Sequence, residues 1–255
     1  MTPSISFKTP AKVNLGLHIL GKREDGFHEL ETLFQMVNWC DDIKIECLSR
    51  GLELICNQPN IPTDEENLVI KAAHILQTRY PEHCKGARIH LNKNIPHGAG
   101  LGGGSGNAAG VLLGLNFLWG LKLNREDLIK VASELGSDVP FFLFSPCAIG
   151  RGRGEMLESV KSSIRFYVLM VYPGFPVPTA SVYGNLKLKL TKRENNISIL
   201  KNFLLKSEFA QLGATWSNDL ELVVFKDHPG LSGIKKEMLT LGAKGRASFR
   251  KRLYS

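Results

Sequence analysis

The densest glycine cluster in the chain indicates a binding site for a phosphate group. Residues 98–106 read GAGLGGGSG, so six of these nine residues are glycine. Glycine has no Cβ, which lets backbone N–H groups approach a ligand closely. A strand is predicted before the loop at Ala87–Leu91, and a small-residue apolar helix is predicted after it at Asn107–Leu115. Because helix N-termini attract anions, this order favours a phosphate cradle over a flexible loop chosen only for tight packing.

Two familiar phosphate-binding motifs do not fit this loop. A Walker A loop ends in Gly-Lys-Ser/Thr, but the residues after Gly106 are asparagine and alanine. The GxGxxG spacing of dinucleotide-binding folds occurs within 98–103, and that pattern needs an acid about 20 residues later at a strand end. The nearest acids, Glu126 and Asp127, belong instead to a predicted helix start. A Walker A site is therefore excluded, and a dinucleotide-binding fold is disfavoured.

One carboxylate and one lysine are candidates for chemistry on a hydroxyl group. Asp138 follows a predicted helix that Asn124 caps and Gly136 ends, and apolar residues after it would limit water around its carboxylate. Asp138 could serve as a base, or it could cap a short helix that begins near Pro140, and the residues alone favour neither. Lys12 opens an apolar strand, where a solvent-exposed lysine is the simpler expectation.

Hydrophobic spacing predicts the elements that position these residues. A strand is predicted over Val13–Leu20, and Asp41–Leu48 alternates as a second strand with Gly51–Asn57 as its hairpin partner. A helix is predicted from Asn67 to about Arg79, because the apolar spacing is helical and Pro81 follows. A further strand is predicted at Phe166–Tyr172, after a change in composition that places a domain boundary near residue 155.

Composition excludes several classes of protein. The 255 residues are 43% hydrophobic and 22% charged, which is typical of a globular chain and not of a disordered or fibrous one. No apolar stretch approaches the roughly 18–20 residues of a membrane span, and the polar start has no signal-like core. We therefore expect a soluble, cytoplasmic protein. The five cysteines form no CxxC pair and are expected to be structural thiols, without a protein-bound metal site.

The net charge of +8 is concentrated at one end of the chain. Residues 244–255 contain five basic residues and no acid, so 8 minus 5 leaves +3 for residues 1–243. A cluster of this kind could contact nucleic acid through 246–252, although we regard this as a remote alternative. The body of the chain is nearly balanced in charge and does not predict a nucleic-acid partner.

Several motifs together resemble one enzyme superfamily. Residues 96–105, PHGAGLGGGS, resemble the central motif of the GHMP small-molecule kinases. The opening PAKVNLGLHILGKREDGFHELETLFQ, residues 10–35, is similar to the branch of that superfamily that acts on 4-diphosphocytidyl-2-C-methyl-D-erythritol. The similarity continues in order through four further segments, 66–68, 136–142, 150–155 and 172–174. Motifs in register over most of residues 8–225 make this resemblance far more specific than the glycine loop alone.

The resemblance implies a fold and a reaction. The implied fold is α+β, a two-domain GHMP kinase with an N-terminal domain like ribosomal protein S5 domain 2 and a ferredoxin-like C-terminal domain. The N-terminal ATP-binding and catalytic domain would comprise residues 1–155, and an incomplete C-terminal domain would comprise residues 156–255. The implied activity is ATP-dependent phosphorylation of the 2-hydroxyl of 4-diphosphocytidyl-2-C-methyl-D-erythritol in non-mevalonate isoprenoid biosynthesis. Magnesium is expected to arrive with ATP, and the protein is expected to be a monomer or a homodimer.

The resemblance also assigns roles to individual residues. Asp138 matches the catalytic aspartate of the family, and Lys12 matches the lysine beside it. The residues implied to bind ATP are Asn67, Lys93, Pro96, Gly98, Gly100, Gly102, Gly103, Gly104, Ser105, Gly106 and Asn107. The residues implied to bind the cytidyl substrate are Asn14, Phe27, His28, Thr179 and Tyr183. Phe27 stands where the family commonly has tyrosine, so ring stacking is retained and a hydroxyl contact is lost.

The resemblance breaks down near the C-terminus. The family has a third glycine-rich segment followed by a strand and a last helix, whereas residues 246–255 here are basic and lack those glycines. We interpret this as a truncated or frame-shifted end, and we expect reduced stability and weak or absent activity. Another GHMP kinase acting on homoserine or a mevalonate derivative remains the alternative in the same class.

Overall fold

The computed structural model of the chain describes residues 3–162, 164–175 and 196–243. Strands predominate before residue 60, and helices predominate in the rest of the described chain. In chain order, the strands are β1 (Ser4–Lys22), β2 (His28–Leu48), β3 (Leu52–Cys56), β4 (Gly86–Asn92), β5 (Cys147–Arg151) and β6 (Met156–Ser159). The helices are α1 (Leu68–Arg79), α2 (Gly103–Leu118), α3 (Arg125–Leu135), α4 (Val139–Phe144), α5 (Asn196–Leu205), α6 (Phe209–Thr215), α7 (Glu221–Asp227) and α8 (Gly230–Thr240).

The chain divides into two compact units that do not follow chain order. The first unit comprises Met1–Lys12, Met36–His97 and Gly102–Phe144. The second unit comprises Val13–Gln35, Gly98–Leu101 and Ser145–Ser255. Strands β1 and β2, of 19 and 21 residues, each contribute to both units. The domain boundary at residue 155 stays a prediction.

The core of the first unit lies between a sheet and four helices. β2 pairs antiparallel with β4, from Asp42 opposite Asn92 to Leu48 opposite Gly86. Period-2 alternation turns the isoleucines of both strands inward, where they pack against the apolar faces of α1–α4. Burial of these faces removes a large apolar area from water, which is the main force that stabilises this unit.

The predicted hairpin between Asp41–Leu48 and Gly51–Asn57 is wrong. β3 runs parallel to β4, with Leu52 opposite Ala87 and Cys56 opposite Leu91. The reason is that β4 occupies the edge of β2 that a hairpin partner would need. Local alternation identified both strands but carried no information on their partner.

The second unit has its own strand pairs and helices. Residues Thr32–Gln35 of β2 pair antiparallel with β5, and β5 pairs with β6. Helix α5 packs closely on β1, because a Cβ added at Gly16 would lie 2.4 Å from Leu200 Cδ1. The predicted strand at Phe166–Tyr172 is wrong, since these residues have no regular structure and no strand of the described chain pairs with them.

The helix predictions agree with the structure. α1 ends at Arg79, and α2 is buried along most of its length, as its small apolar composition indicates. α3 begins after Asn124, whose side-chain Oδ1 accepts a hydrogen bond from Asp127 N at 3.0 Å, and ends at Gly136. Helix α4 begins at Val139, so Asp138 directly precedes it. Within the described ranges, no helix is long and apolar enough to cross a membrane.

The five cysteines carry free thiols. Burial raises the pKa of Cys147, on β5, to about 12. Burial likewise raises the pKa of Cys84 to about 11. A raised thiol pKa lowers the fraction of reactive thiolate at neutral pH, which fits the expected structural role.

Candidate active site

The glycine loop joins β4 to α2 and ends in the first turn of that helix. Gly98, Gly100 and Gly102 all have positive φ angles, of 78°, 79° and 67°. Gly102 is the N-cap residue of α2, and a left-handed φ at this position favours glycine. The first turn of α2 then contains Gly103, Gly104 and Ser105, whose N–H groups have no partner within a helix. The first turn carries no acid, so the positive end of the helix can receive an anion.

Lys12 and Asp138 form an ion pair next to this loop. Lys12 Nζ lies 3.7 Å from Asp138 Oδ2, and their side chains are 4% and 20% exposed. A Cβ added at Gly102 would lie 3.0 Å from Lys12 Cγ, so a residue with a side chain at 102 would displace the lysine. The structure therefore brings together the two residues predicted to be catalytic and the N-cap of the helix that follows the loop. The expectation that Lys12 is exposed, which the residues alone favoured, is wrong.

A buried polar cluster lies beneath the start of α2. It comprises Thr9, Asp41, Lys93 and Asn107, all of them buried. Lys93 Nζ forms an ion pair with Asp41 Oδ2 and donates to Asn107 Oδ1 at 2.9 Å. Asn107 Nδ2 donates to Asp41 Oδ2 at 2.9 Å and to Thr9 Oγ1 at 2.7 Å. Two predicted ATP-binding residues, Lys93 and Asn107, thus share one hydrogen-bond network.

Asp41 also holds the backbone of the chain that leaves β4. Its Oδ1 accepts hydrogen bonds from Asn94 N at 2.7 Å and from Ile95 N at 2.8 Å. Sequence reasoning missed Asp41, although it stands at the start of an alternating strand. A correct prediction of the pairing between β2 and β4 would have placed Asp41 beside Lys93 and indicated an ion pair between them.

Asn67, also predicted to bind ATP, caps helix α1. Its Oδ1 accepts a hydrogen bond from Val69 N at 2.9 Å, and its Nδ2 donates to Pro62 O at 2.6 Å. The cap satisfies one of the unpaired N–H groups of the first turn. Pro96 lies in the chain between β4 and the first positive-φ glycine. The roles of both residues toward ATP stay predictions.

In the second unit, Asn14 is fixed by a buried threonine. Asn14 Nδ2 donates to Thr32 Oγ1 at 2.7 Å, and the Thr32 hydroxyl donates to Gly16 O at 2.7 Å. Trp216 Nε1 donates to the backbone carbonyl of Asn14 at 3.2 Å. Because the Thr32 hydroxyl proton is used by Gly16, the amide nitrogen of Asn14 must face Thr32. Sequence reasoning missed Thr32, although it lies within the motif of residues 10–35, because its contact with Asn14 joins two different strands.

Phe27, also in the second unit, has an arginine over its ring. The Arg153 guanidinium carbon lies 5.0 Å from the ring centroid of Phe27, within the range of a cation–π contact. Phe27 is 43% exposed, so part of its ring remains open to a ligand. His28 follows it as the first residue of β2 and is half-buried. Sequence reasoning missed Arg153, which stands between two glycines in the segment 150–155.

Other predicted features lie outside the described residues. These are Thr179, Tyr183 and the basic segment 244–255. Among the residues that the structure does describe, no group of three or more His, Cys, Asp or Glu side chains could hold a metal ion.

Comparison with known proteins identifies the class of enzyme to which the chain belongs. The family described as "GHMP kinases N terminal domain" matches residues 67–146, which span α1 to α4 and the glycine loop. The solved structure described as 4-(cytidine 5'-diphospho)-2C-methyl-D-erythritol kinase is similar with a TM-score of 0.77 and 35% identity, covering 93% of this chain and 84% of that chain. The fold is therefore that of the GHMP kinases, as the resemblance implied.

Two curated relatives narrow the class to one family. A 4-diphosphocytidyl-2-C-methyl-D-erythritol kinase of Chlorobium phaeobacteroides (strain BS1) is 40% identical over 93% of this chain and 83% of that protein. A protein of the same name from Syntrophus aciditrophicus (strain SB) is 42% identical over 93% of this chain and 83% of that protein. The chain belongs to the 4-diphosphocytidyl-2-C-methyl-D-erythritol kinase family. It is a small-molecule kinase, an ATP-dependent phosphotransferase.

Proposed function

We propose that this kinase transfers the γ-phosphate of magnesium-bound ATP to the 2-hydroxyl of 4-diphosphocytidyl-2-C-methyl-D-erythritol. The products are the 2-phosphate and ADP, and the reaction serves non-mevalonate isoprenoid precursor biosynthesis. The observation that carries the proposal is the Lys12–Asp138 pair beside the N-cap of α2, in a chain about 40% identical to relatives named for this substrate. Both substrates are charged and water-soluble, which supports a cytoplasmic location.

The glycine loop and the start of α2 hold the phosphates of ATP. Backbone N–H groups at Gly103, Gly104 and Ser105, together with the helix dipole, stabilise their negative charge. Magnesium, which comes with ATP, neutralises further phosphate charge. The protein mainly aligns the reacting groups and contributes little covalent chemistry, because phosphoryl transfer depends mainly on alignment and electrostatic stabilisation.

Lys12 and Asp138 act on the acceptor hydroxyl. Asp138 accepts a hydrogen bond from the 2-hydroxyl and takes its proton as the oxygen attacks the γ-phosphorus. The new O–P bond forms while the bond from the γ-phosphorus to the β–γ bridging oxygen breaks, and ADP leaves. Lys12 is buried beside Asp138, where its positive charge offsets the charge that develops on the transferred group.

Asn14, Phe27 and His28 bind the cytidyl substrate. Asn14 lies two residues after Lys12 on β1, so both side chains project from the same face of the strand. The exposed part of the Phe27 ring stacks on cytosine, and His28 binds the polar edge of the base. Thr179 and Tyr183 complete this set by family resemblance.

Replacing Asp138 tests the assigned reaction. Asp138→Asn removes the proton acceptor and preserves the size of the side chain, so kcat should fall by about 100-fold or more while both KM values change little. Asp127→Asn, at a carboxylate in the first turn of α3 whose side chain is 40% exposed, is the matched control and should retain the parental kcat. Near-parental turnover of the Asp138→Asn variant would remove Asp138 from this role.

A further inference from the structure

The buried carboxylate of Asp41 contacts both ends of the segment that contains the glycine loop. This segment runs from Lys93, directly after β4, to Asn107, the fifth residue of α2. Asp41 Oδ1 binds the backbone of Asn94 and Ile95 at its beginning, and Asp41 Oδ2 binds the side chains of Lys93 and Asn107. Both carboxylate oxygens thus accept two hydrogen bonds each from the segment.

The contacts extend to the first turn of α2. A Cβ added at Gly103 would lie 3.0 Å from Lys93 Nζ and 3.1 Å from Ile95 Cγ2, so two groups held by Asp41 pack directly against this glycine. Asp41 is 0% exposed, and no step of the proposed reaction uses it. A buried carboxylate is costly to desolvate, and here it is compensated by four donors of one segment.

We infer that Asp41 is a positioning residue for the nucleotide site. Through Lys93, Asn107 and the backbone at 94–95, it sets the path of the chain into and out of the glycine loop. Its loss should therefore weaken nucleotide binding and leave binding of the alcohol substrate nearly unchanged. The inference rests on the proposed function only for the identity of that second ligand.

Asparagine cannot replace Asp41 without a conflict between donors. In either orientation, the amide NH₂ of Asp41→Asn would face two donors, either the N–H groups of Asn94 and Ile95 or the side chains of Lys93 and Asn107. A buried N–H group without an acceptor raises the free energy of the folded state, and this penalty is large enough to displace the segment from Lys93 to Asn107. The substitution is nevertheless close in volume, so it does not open a cavity.

The test measures ADP binding and substrate binding separately, by calorimetric titration of the full chain well below its unfolding temperature. Asp41→Asn should raise the Kd for ADP about 10-fold or more, while the Kd for 4-diphosphocytidyl-2-C-methyl-D-erythritol stays within about twofold. Asp42→Asn is the matched control, because Asp42 is the next residue of β2 and accepts a hydrogen bond from Asn94 Nδ2, but its side chain is 44% exposed. This control should leave both Kd values within about twofold of the parental ones.

The outcomes separate positioning from a purely structural role. If folded Asp41→Asn protein binds ADP within about twofold of the parental chain, or loses both ligands equally, the inference is overturned. If Asp41→Asn does not fold, Thr9→Val decides, since it removes the hydroxyl that accepts from Asn107 at 2.7 Å and donates to the backbone carbonyl of Asp41 at 3.5 Å. Thr9→Val should raise the Kd for ADP severalfold, and an unchanged value would overturn the inference. If the parental chain does not bind the cytidyl substrate, the proposed substrate fails while the ADP titration still decides on Asp41.

Discussion

At the scale of single residues, the site depends on the absence of a side chain at Gly102. Gly102 leaves room for the stem of Lys12, and the left-handed backbone at Gly102 starts α2 beside that lysine. Lys12 in turn lies 3.7 Å from Asp138, which directly precedes α4. Gly102, Lys12 and Asp138 are far apart in sequence but lie next to one another in the structure.

Phe27 provides a test of the cytidyl specificity. Phe27→Ala removes the exposed ring on which we expect the base to stack, and such stacking contributes about 1–3 kcal/mol. The KM for the cytidyl substrate should rise about tenfold, with little change in the KM for ATP, in steady-state assays. Phe117→Ala, at a ring on α2 that is 72% exposed, should change neither value. An unchanged KM for the cytidyl substrate in Phe27→Ala would remove the ring from the site.

Residues in compact motifs could be predicted from the sequence, and residues joined across long separations could not. The glycine loop is a local pattern that itself indicates phosphate binding, and Asp138 lies in a short segment that the family resemblance covers. The contact between Asp41 and Lys93 spans 52 positions and exists only because β2 and β4 are neighbours. Thr32 was missed for the same reason, since its partner Asn14 lies on another strand.

At the scale of elements, glycines set the distance between β1 and α2. Gly106, Gly110 and Gly114 recur every four residues on one face of α2, and each packs against another element. A Cβ at Gly106 would lie 2.8 Å from Pro10 O, and a Cβ at Gly110 would lie 2.4 Å from a side-chain atom of Thr9. The close approach of the helix brings its N-terminus next to the strand that carries Lys12.

Gly106→Ala tests this packing. The added methyl group meets a backbone oxygen that cannot rotate away, so the free energy of unfolding should fall by about 1–3 kcal/mol in denaturant titrations. Gly104→Ala is the matched control, because its nearest neighbour is Leu68 Cδ1 at an ordinary 3.9 Å. Its free energy of unfolding should be unchanged or higher by up to about 1 kcal/mol. Equal destabilisation by both substitutions would contradict the packing described here.

Element identity was more predictable than element pairing. The caps at Asn124 and Gly136 allowed both ends of α3 to be predicted, because capping depends on residues close together in sequence. The predicted hairpin at 41–57 and the predicted strand at 166–172 were wrong, since a strand needs a partner that its own alternation does not specify.

At the scale of the whole molecule, the charge pattern and the family assignment agree. Without its last twelve residues the chain carries +3, which is modest for an enzyme that binds two phosphorylated substrates. We therefore propose that specificity depends on particular residues, namely those of the glycine loop, Lys12, Asp138 and Phe27, and not on overall charge. The family relationship holds over 93% of the chain.

The most direct test is an end-point assay of phosphoryl transfer from γ-³²P-labelled ATP with the full chain at high concentration. Three acceptors are compared under identical conditions: 4-diphosphocytidyl-2-C-methyl-D-erythritol, homoserine and mevalonate. We expect labelled 2-phosphate from the cytidyl alcohol and at least about 100-fold less product from the other two, since neither has a base to stack on Phe27. Labelling of homoserine or mevalonate equal to or greater than that of the cytidyl alcohol would contradict this assignment.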